Sequence, residues 1–264
     1  MNISPDASPE AIREYSRQTW DAQVAQGNRW TVPVSPADIA NARKGKWAIV
    51  LTPTKEVPRS WFGELQGCEL LCLAGGGGQQ APILAAAGAN VTVLDNSAAQ
   101  LAQDQHVAQR ERLKIKSVQG DMANLCAFED ETFDLIVHPC SNTFVPDVKP
   151  VWKEAYRVLK TGGSLLSGLC NPIMFIFDDE LREQGELKVV HSIPYSDVRD
   201  ASPATLKKYA SDQEPVCFGH TLDDQIGGQI DAGFALTGFY EDFWDDSVQD
   251  PLSRHIASFM ATKA

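Results

Sequence analysis

Glu69-Leu70-Leu71-Cys72-Leu73-Ala74-Gly75-Gly76-Gly77-Gly78 is the stretch on which the reading of the whole chain turns. An apolar run of strand length breaks into four glycines, and Gln79-Gln80-Ala81-Pro82 then opens a helical segment. A second apolar run, Val91-Thr92-Val93-Leu94, ends in Asp95. A buried strand, a glycine turn, a helix and a second strand closed by a carboxylate form half of a nucleotide-binding α/β unit. Glycine lets the backbone approach a ligand that a Cβ would hold away. A carboxylate at the end of the second strand can accept hydrogen bonds from both hydroxyls of a ribose. The pattern points to an adenosine-bearing cofactor.

Outward from this unit the rhythm continues. Strands are expected at Glu69–Leu73, Asn90–Leu94, Ile115–Gln119, Phe133–Val137 and Ser164–Leu169. Helices are expected at about Gln80–Ala87, after the capping Ser97, and at Lys149–Leu159. Short apolar runs separated by helices specify a parallel sheet covered on both faces. Later, Thr221 caps an expected helix Leu222–Ala232 that Gly233 ends, and strands follow at Ala235–Tyr240 and Ile256–Thr262. Two closing strands without a full helix between them imply an antiparallel pair at the sheet edge. The fold class is therefore α/β: a doubly wound, Rossmann-like, mostly parallel seven-stranded sheet with an antiparallel strand near the C-terminus.

Two segments depart from the rhythm. Residues 1–67 form a helical and aromatic lead-in to the domain at 68–264. Ser8-Pro9-Glu10 starts a helix whose inner face carries Ile12, Tyr15, Thr19 or Trp20, and Val24, and a shorter helix is expected around Pro36–Arg43. Trp30, Trp47 and Trp61 read as packing under loops or as parts of a lid. Residues 172–218 are too long for an ordinary connection, which runs to about 2–6 residues, and are expected to cap the substrate side, with a strand at Leu187–Ile193.

The chain has 264 residues and a net charge of −12, and its Lys and Arg are scattered, which argues against a nucleic-acid partner. None of the six cysteines forms a Cys-x-x-Cys pair, so reduced cysteines in a cytoplasmic protein are expected and no metal site. The N-terminus has neither the basic start nor the apolar stretch of a signal peptide, and no run is long enough to span a bilayer.

Gly76-Gly77-Gly78-Gln79-Gln80-Ala81 alone also satisfies a dinucleotide fingerprint, so the downstream segments discriminate. Gly120-Asp121-Met122 follows the third strand, and Phe133-Asp134-Leu135-Ile136-Val137 is followed by Glu154-Ala155-Tyr156-Arg157-Val158-Leu159-Lys160-Thr161-Gly162-Gly163. With the glycine loop and Asp95, these segments resemble the class I S-adenosylmethionine-dependent methyltransferases from Leu70 to Ala264. The last run is similar to that of the small-molecule, ubiquinone/menaquinone-type branch, with Thr161 where proline is usual. The family often has an acid where this chain has Cys72, and a glycine where it has Ala74, a change tolerable at negative φ. The resemblance implies S-adenosyl-L-methionine as cofactor. Ala74, Gly75 and Gly76 would lie by its methionine and ribose parts, Asp95 on the ribose diol and Asn96 beside the adenine. Asp121 and Met122 would contact the adenine, with His138 and Pro139 near the methionine part.

Methyl transfer from a sulfonium is an in-line displacement that alignment and exclusion of water accelerate without a compulsory catalytic side chain. For a hydroxyl acceptor a general base would help, and the candidates are His138, His191, His220, Tyr15 and Tyr195. No Gly-x-Ser-x-Gly elbow supports hydrolase chemistry. The expected function is methyl transfer to a small-molecule acceptor. A nicotinamide-dependent oxidoreductase and a non-catalytic S-adenosylmethionine-binding protein are the competing readings.

Overall fold

The computed structural model describes residues 3–4 and 6–264, so Met1, Asn2 and Pro5 of the lead-in lie outside the described residues. The lead-in supplies α1 (Pro9–Gln26) and α2 (Pro36–Ala42). Ser8 caps α1 by accepting from the Ala11 amide, and Gly27 closes it in the left-handed region. The main domain then runs β1 (Glu69–Leu73), α3 (Gln80–Ala86), β2 (Asn90–Asp95), α4 (Ala98–Glu111), β3 (Ile115–Gln119), β4 (Phe133–His138), α5 (Lys149–Val158) and β5 (Leu159–Cys170). The cap holds α6 (Asp179–Glu183), β6 (Tyr195–Ser196), α7 (Asp197–Asp200), α8 (Pro203–Asp212) and β7 (Phe218–Gly219). The chain closes with α9 (Gly228–Ala232), β8 (Gly238–Asp242) and β9 (Phe259–Lys263).

Seven strands form one sheet in the order β3-β2-β1-β4-β5-β9-β8. The first five are parallel, and β9 runs antiparallel to both β5 and β8. Chain order reverses between β1 and β4, and a crevice must open there outside the carboxyl ends of the strands. An antiparallel β9 between β5 and β8 is also what separates this sheet from the wholly parallel six-strand dinucleotide form.

Each face of the sheet buries its own core. On one face Leu70, Cys72, Val91, Val93 and Val137 pack with Leu84 of α3 and with Ile49, Leu51, Val57, Phe62 and Leu65 of the lead-in. On the other, Leu71, Leu73, Ile136, Leu165 and Leu169 pack against Val151, Trp152, Ala155 and Val158 of α5. A β-strand sends alternate residues to opposite faces, so both parities must be apolar where both faces are covered.

Several sequence expectations are corrected. Leu187–Ile193 forms no strand: Val189 makes one isolated bridge to Phe177, and Val189 and Val190 are exposed. The cap pairs β6 with β7 instead, burying Tyr195 and Phe218. The helix expected at Leu222–Ala232 begins as a π-helical turn, Asp223–Gly227, before α9. β5 starts at Leu159, ahead of the expected Ser164, running straight out of α5 with a register shift against Phe133 and Leu135. β8 and β9 each lie a few residues later than expected. Ala74 has a φ of +47°, not the negative value its side chain prefers. The position is held by Ala74 N–H donating to Leu94 O at 2.7 Å and by Ser141 Oγ donating to Ala74 O at 2.6 Å.

Trp152 is fully buried and donates its indole N–H to Asp224 O at 3.0 Å, tying α5 to the turn before α9. Trp152→Ala is expected to cost about 3–5 kcal/mol, the range for deleting a large buried aromatic, measured by urea unfolding.

Candidate functional site

The crevice at the carboxyl ends of β1, β2, β4 and β5 is a cavity of about 340 Å³. Ala74, Gly75, Gly76, Asp95, Asn96, Asp121, Met122 and Pro139 all line it. Its roof comes from the lead-in, through Arg13, Ser16, Trp20 and Trp30. Of Trp30, Trp47 and Trp61, Trp47 packs edge-on against Phe62 and Trp61 lies against Tyr240, so Trp30 is the one of these that joins Trp20 at the cavity.

The glycine loop is shaped by two carboxylates. Asp95 Oδ2 accepts the Gly76 N–H at 3.0 Å, and Asp95 Oδ1 accepts the Ser97 N–H at 2.9 Å. Asp104, fully buried on α4, accepts the N–H of Gly77 and of Gly78, each at 3.1 Å. Gly77 has a φ of +114°, which a side chain rarely adopts. A Cβ on Gly76 would stand 2.8 Å from Gln100 Cβ and 3.0 Å from Asp95 Oδ2, so the cradle is closed to any side chain. Gln100 Oε1 is buried in the same wall without a hydrogen-bond partner, an acceptor available to an incoming hydroxyl or ammonium.

The rest of the rim is tied down around this cradle. Asp121 Oδ1 accepts the Ala123 N–H at 2.9 Å, and Arg13 Nη1 donates to Asp121 Oδ2 at 3.0 Å. Asn96 Nδ2 donates to Arg13 O at 2.8 Å, so α1 is stitched to the ends of both β2 and β3. Asp21 of α1 accepts the Ser97 hydroxyl at 2.6 Å and the Ala99 N–H at 3.1 Å. The Glu154 and Arg157 pair of α5 holds the loop after β3. Glu154 Oε2 accepts the Leu125 N–H at 2.7 Å, and Arg157 donates to Leu125 O and Phe128 O.

None of the five candidate bases lines this cavity. His138 is fully buried, with Nδ1 at 2.8 Å from Leu73 O and Nε2 at 2.7 Å from the Asn142 amide. Burial lowers its pKa, so the ring is neutral; its N–H is given to Leu73 O and Nε2 must accept. The structure sets Asn142 Oδ1 at 2.7 Å from Nε2; exchanging the amide oxygen and nitrogen would supply the donor a neutral ring needs there and give the unpartnered Nδ2 an acceptor. His138 is thus a brace between β1 and β4, not a wall of the cavity. His220 is buried with Nε2 at 3.0 Å from Asn142 O. Tyr15 donates to Glu214 O at 3.0 Å, Tyr195 donates to Asp197 Oδ1 at 2.9 Å, and His191 lies against the Tyr195 ring.

The sequence reading missed Asp104, Gln100 and three cavity-lining cysteines, Cys140, Cys170 and Cys217. Asp104 had a signal: Leu101, Asp104, Val107 and Ala108 recur at helical spacing, placing an acid on the buried stripe of α4. Cys140 and Cys170 had one too, as both sit at carboxyl ends of strands. All six cysteines are free thiols, and burial pushes the Cys140 and Cys217 thiols up, keeping them protonated. Among the described residues no group of three or more His, Cys, Asp and Glu is placed to hold a metal ion.

A family model described as a methyltransferase domain matches residues 71–167. YbaJ of Bacillus subtilis, described as an uncharacterized methyltransferase, is 56% identical over 232 residues, covering 88% of this chain and 91% of that protein. An arsenite methyltransferase of Aquipseudomonas alcaligenes is 35% identical over 111 residues, covering 38% of this chain and 32% of its own length. An S-adenosylmethionine-dependent methyltransferase of Mesorhizobium loti superposes with a TM-score of 0.58 at 17% identity, over 78% of this chain and 94% of that one, a likeness of fold.

Burial, and then the charge of Asp95, push the Asp104 carboxyl up to about 8, against the pull of the glycine amides. A carboxyl raised in the folded state binds its proton more tightly there than in the unfolded chain, so folding weakens as pH rises from about 4 toward 8. The stability of the wild type is expected to fall across that window relative to Asp104→Asn, which lacks the titration. Urea midpoints for both proteins across the range check this, and parallel pH profiles would contradict it.

Proposed function

Since the chain belongs to the S-adenosylmethionine-dependent methyltransferases, we propose that it methylates a small-molecule acceptor at the crevice between β1 and β4. The observation that carries the assignment of the site is the closed cradle at Gly76, with Asp95 beneath it and the unpartnered Gln100 acceptor beside it. The residues fit the cofactor. Asp95 keeps lone pairs free for the ribose diol after accepting from Gly76 and Ser97. Ala74, Gly75 and Gly76 give the backbone surface on which the ribose and methionine parts rest. Asn96, Asp121 and Met122 bracket the adenine, with Asp121 held in place by Arg13 and the Ala123 amide. Pro139 closes the methionine side, its Cδ within 3.4 Å of where a Gly75 Cβ would stand.

Bound S-adenosylmethionine supplies an electrophilic methyl on a sulfonium. The protein's part is to align the acceptor with that methyl and to keep water out. The lead-in at residues 1–67 works as a lid through Arg13, Ser16, Trp20 and Trp30, and the cap at 172–218 closes the acceptor side through Met174, Phe175 and Cys217. Apolar walls favour a reaction in which charge disperses.

A small acceptor is favoured by a cavity of only about 340 Å³, and the partial relative above is named for a small one, arsenite. The net charge of −12 argues against a nucleic-acid acceptor. Among the described residues no helix is long and apolar enough to cross a membrane. With the free thiols, that supports placing the protein in the cytoplasm.

Calorimetry is expected to show S-adenosylmethionine binding in the micromolar range, and Asp95→Ala to weaken it at least tenfold, as loss of charge-assisted bonds to two hydroxyls requires. Absence of binding to the wild type, with no S-adenosylhomocysteine released in the presence of any acceptor, would reject the reading.

A further inference from the structure

A second cavity of about 390 Å³ lies under the cap. Trp20, Phe144, Met174, Phe175 and Cys217 line both it and the cavity at the strand ends, so the two chambers share a wall. On the far side of that wall the lining changes in character. Phe177, Tyr195 and Tyr209 add aromatic faces, with Phe175 stacked on Tyr195 at 5.9 Å and Trp20 edge-on to Phe144 at 5.2 Å. Between these faces stand the carboxylates of Asp179, Asp197 and Glu214.

Among the described residues no cation is hydrogen-bonded to any of the three. Arg182 is the only basic residue of the lining, and its guanidinium is taken up by both oxygens of Asp250 and by Met174 O. Asp197, buried at the base, accepts only neutral donors, Tyr195 OH at 2.9 Å and the Cys217 N–H at 2.6 Å. Asp179 has the Tyr209 hydroxyl at 3.4 Å, and the nearest lysine, Lys208, is bound to Glu183. Burial raises the pKa of Asp197 to about 6, and the charges of Asp179 and Glu214, acids at the exposed rim that Arg182, His191 and Lys208 partly offset, add to the burden on it. Buried negative charge without a counter-ion is costly, and an arriving cation relieves that cost. Aromatic faces add attraction for an ammonium and none for a carboxylate.

We propose that this aromatic chamber is the acceptor subsite and that the acceptor is an organic amine, its ammonium set against Asp197 and its apolar body against the rings. The proposal rests on the methyltransferase reading and names the substrate class for it. Asp197 is bonded to the backbone of Cys217, a residue of the shared wall, so an ammonium at Asp197 stands where the two chambers meet. There the ammonium passes one proton to the Asp197 carboxylate. The freed nitrogen lone pair forms the N–C bond as the S–C pair returns to sulfur. Positive charge leaves the sulfonium and reappears on the methylated nitrogen, and atoms and charge balance.

The test is calorimetry on the full chain saturated with S-adenosylhomocysteine, titrated with phenethylamine, phenethyl alcohol and phenylacetate. The amine is expected to bind at least tenfold more tightly than the alcohol, and phenylacetate more weakly than either. Asp197→Asn is expected to erase most of the amine's advantage while S-adenosylhomocysteine affinity holds. Asp179→Asn, at the exposed rim where folding is not at risk, should reduce the advantage by a smaller factor. Equal binding of amine and alcohol, preference for phenylacetate, or no binding of any of the three to the loaded protein overturns the amine assignment and leaves the methyltransferase reading intact. Failure of S-adenosylhomocysteine itself to bind removes both.

Discussion

Three consecutive amide groups, those of Gly76, Gly77 and Gly78, point away from any regular ladder and have to be satisfied at the carboxyl end of β1. A buried N–H without a partner costs about as much as a lost hydrogen bond, so the loop exists in this form only because acceptors meet it. Asp95 takes the first and Asp104 the other two. The consequence is a turn whose backbone faces the cavity with no side chain in the way. The acids sit one behind the other, and burial first, then the charge of Asp95, push the Asp104 carboxyl up to about 8. Cys72 stands at the strand-1 position where the resembled family often has an acid, and a carboxyl from α4 steadies the loop.

The remaining contacts make that loop one edge of a chamber. Reversal of strand order between β1 and β4 opens the crevice, and His138, wedged between Leu73 O and Asn142, sets the spacing of those two strands. The lead-in takes part at two depths. Its residues 49–65 belong to the core beneath the sheet, whereas α1 lies across the strand ends through Arg13 and Asp21. The glutamate and arginine of the α5 motif explain themselves in the same way, as anchors for the main chain at Leu125 and Phe128 that keeps Asp121 and Met122 at the rim.

The cap divides the interior by chemistry. On the strand side the walls are glycine backbone, apolar side chains and a polar rim of Asp95, Asn96, Asp121 and Arg13, with one free amide acceptor. On the cap side aromatic rings alternate with acids whose only close partners are hydroxyls and an amide. An acceptor carrying an ammonium would be neutralised in the cap-side chamber, and the wall that the two chambers share carries no formal charge.

The parallel strands, the glycine turn and Asp95 were legible in the sequence because strand-length apolar runs, glycine and a strand-end acid act locally, and the sheet places them wherever the run ends. The placing of Ala74 through Met122 at the cofactor was what the family resemblance implied, and these residues do line the cavity at that edge. Candidate bases were not legible. A histidine's letter carries no information on whether its nitrogens meet solvent or backbone, and His138 and His220 are consumed by Leu73 and Asn142. The strand expected at Leu187–Ile193 failed for a related reason: its β-branched residues found no neighbouring strand, and pairing is a property of two segments. The sign of φ at Ala74 and the charge imbalance around Asp197 likewise arise only when distant segments are brought together. Sequence alone determined the sheet and where its ligand-binding edge must lie; tertiary packing alone decided which polar groups remain free to act there.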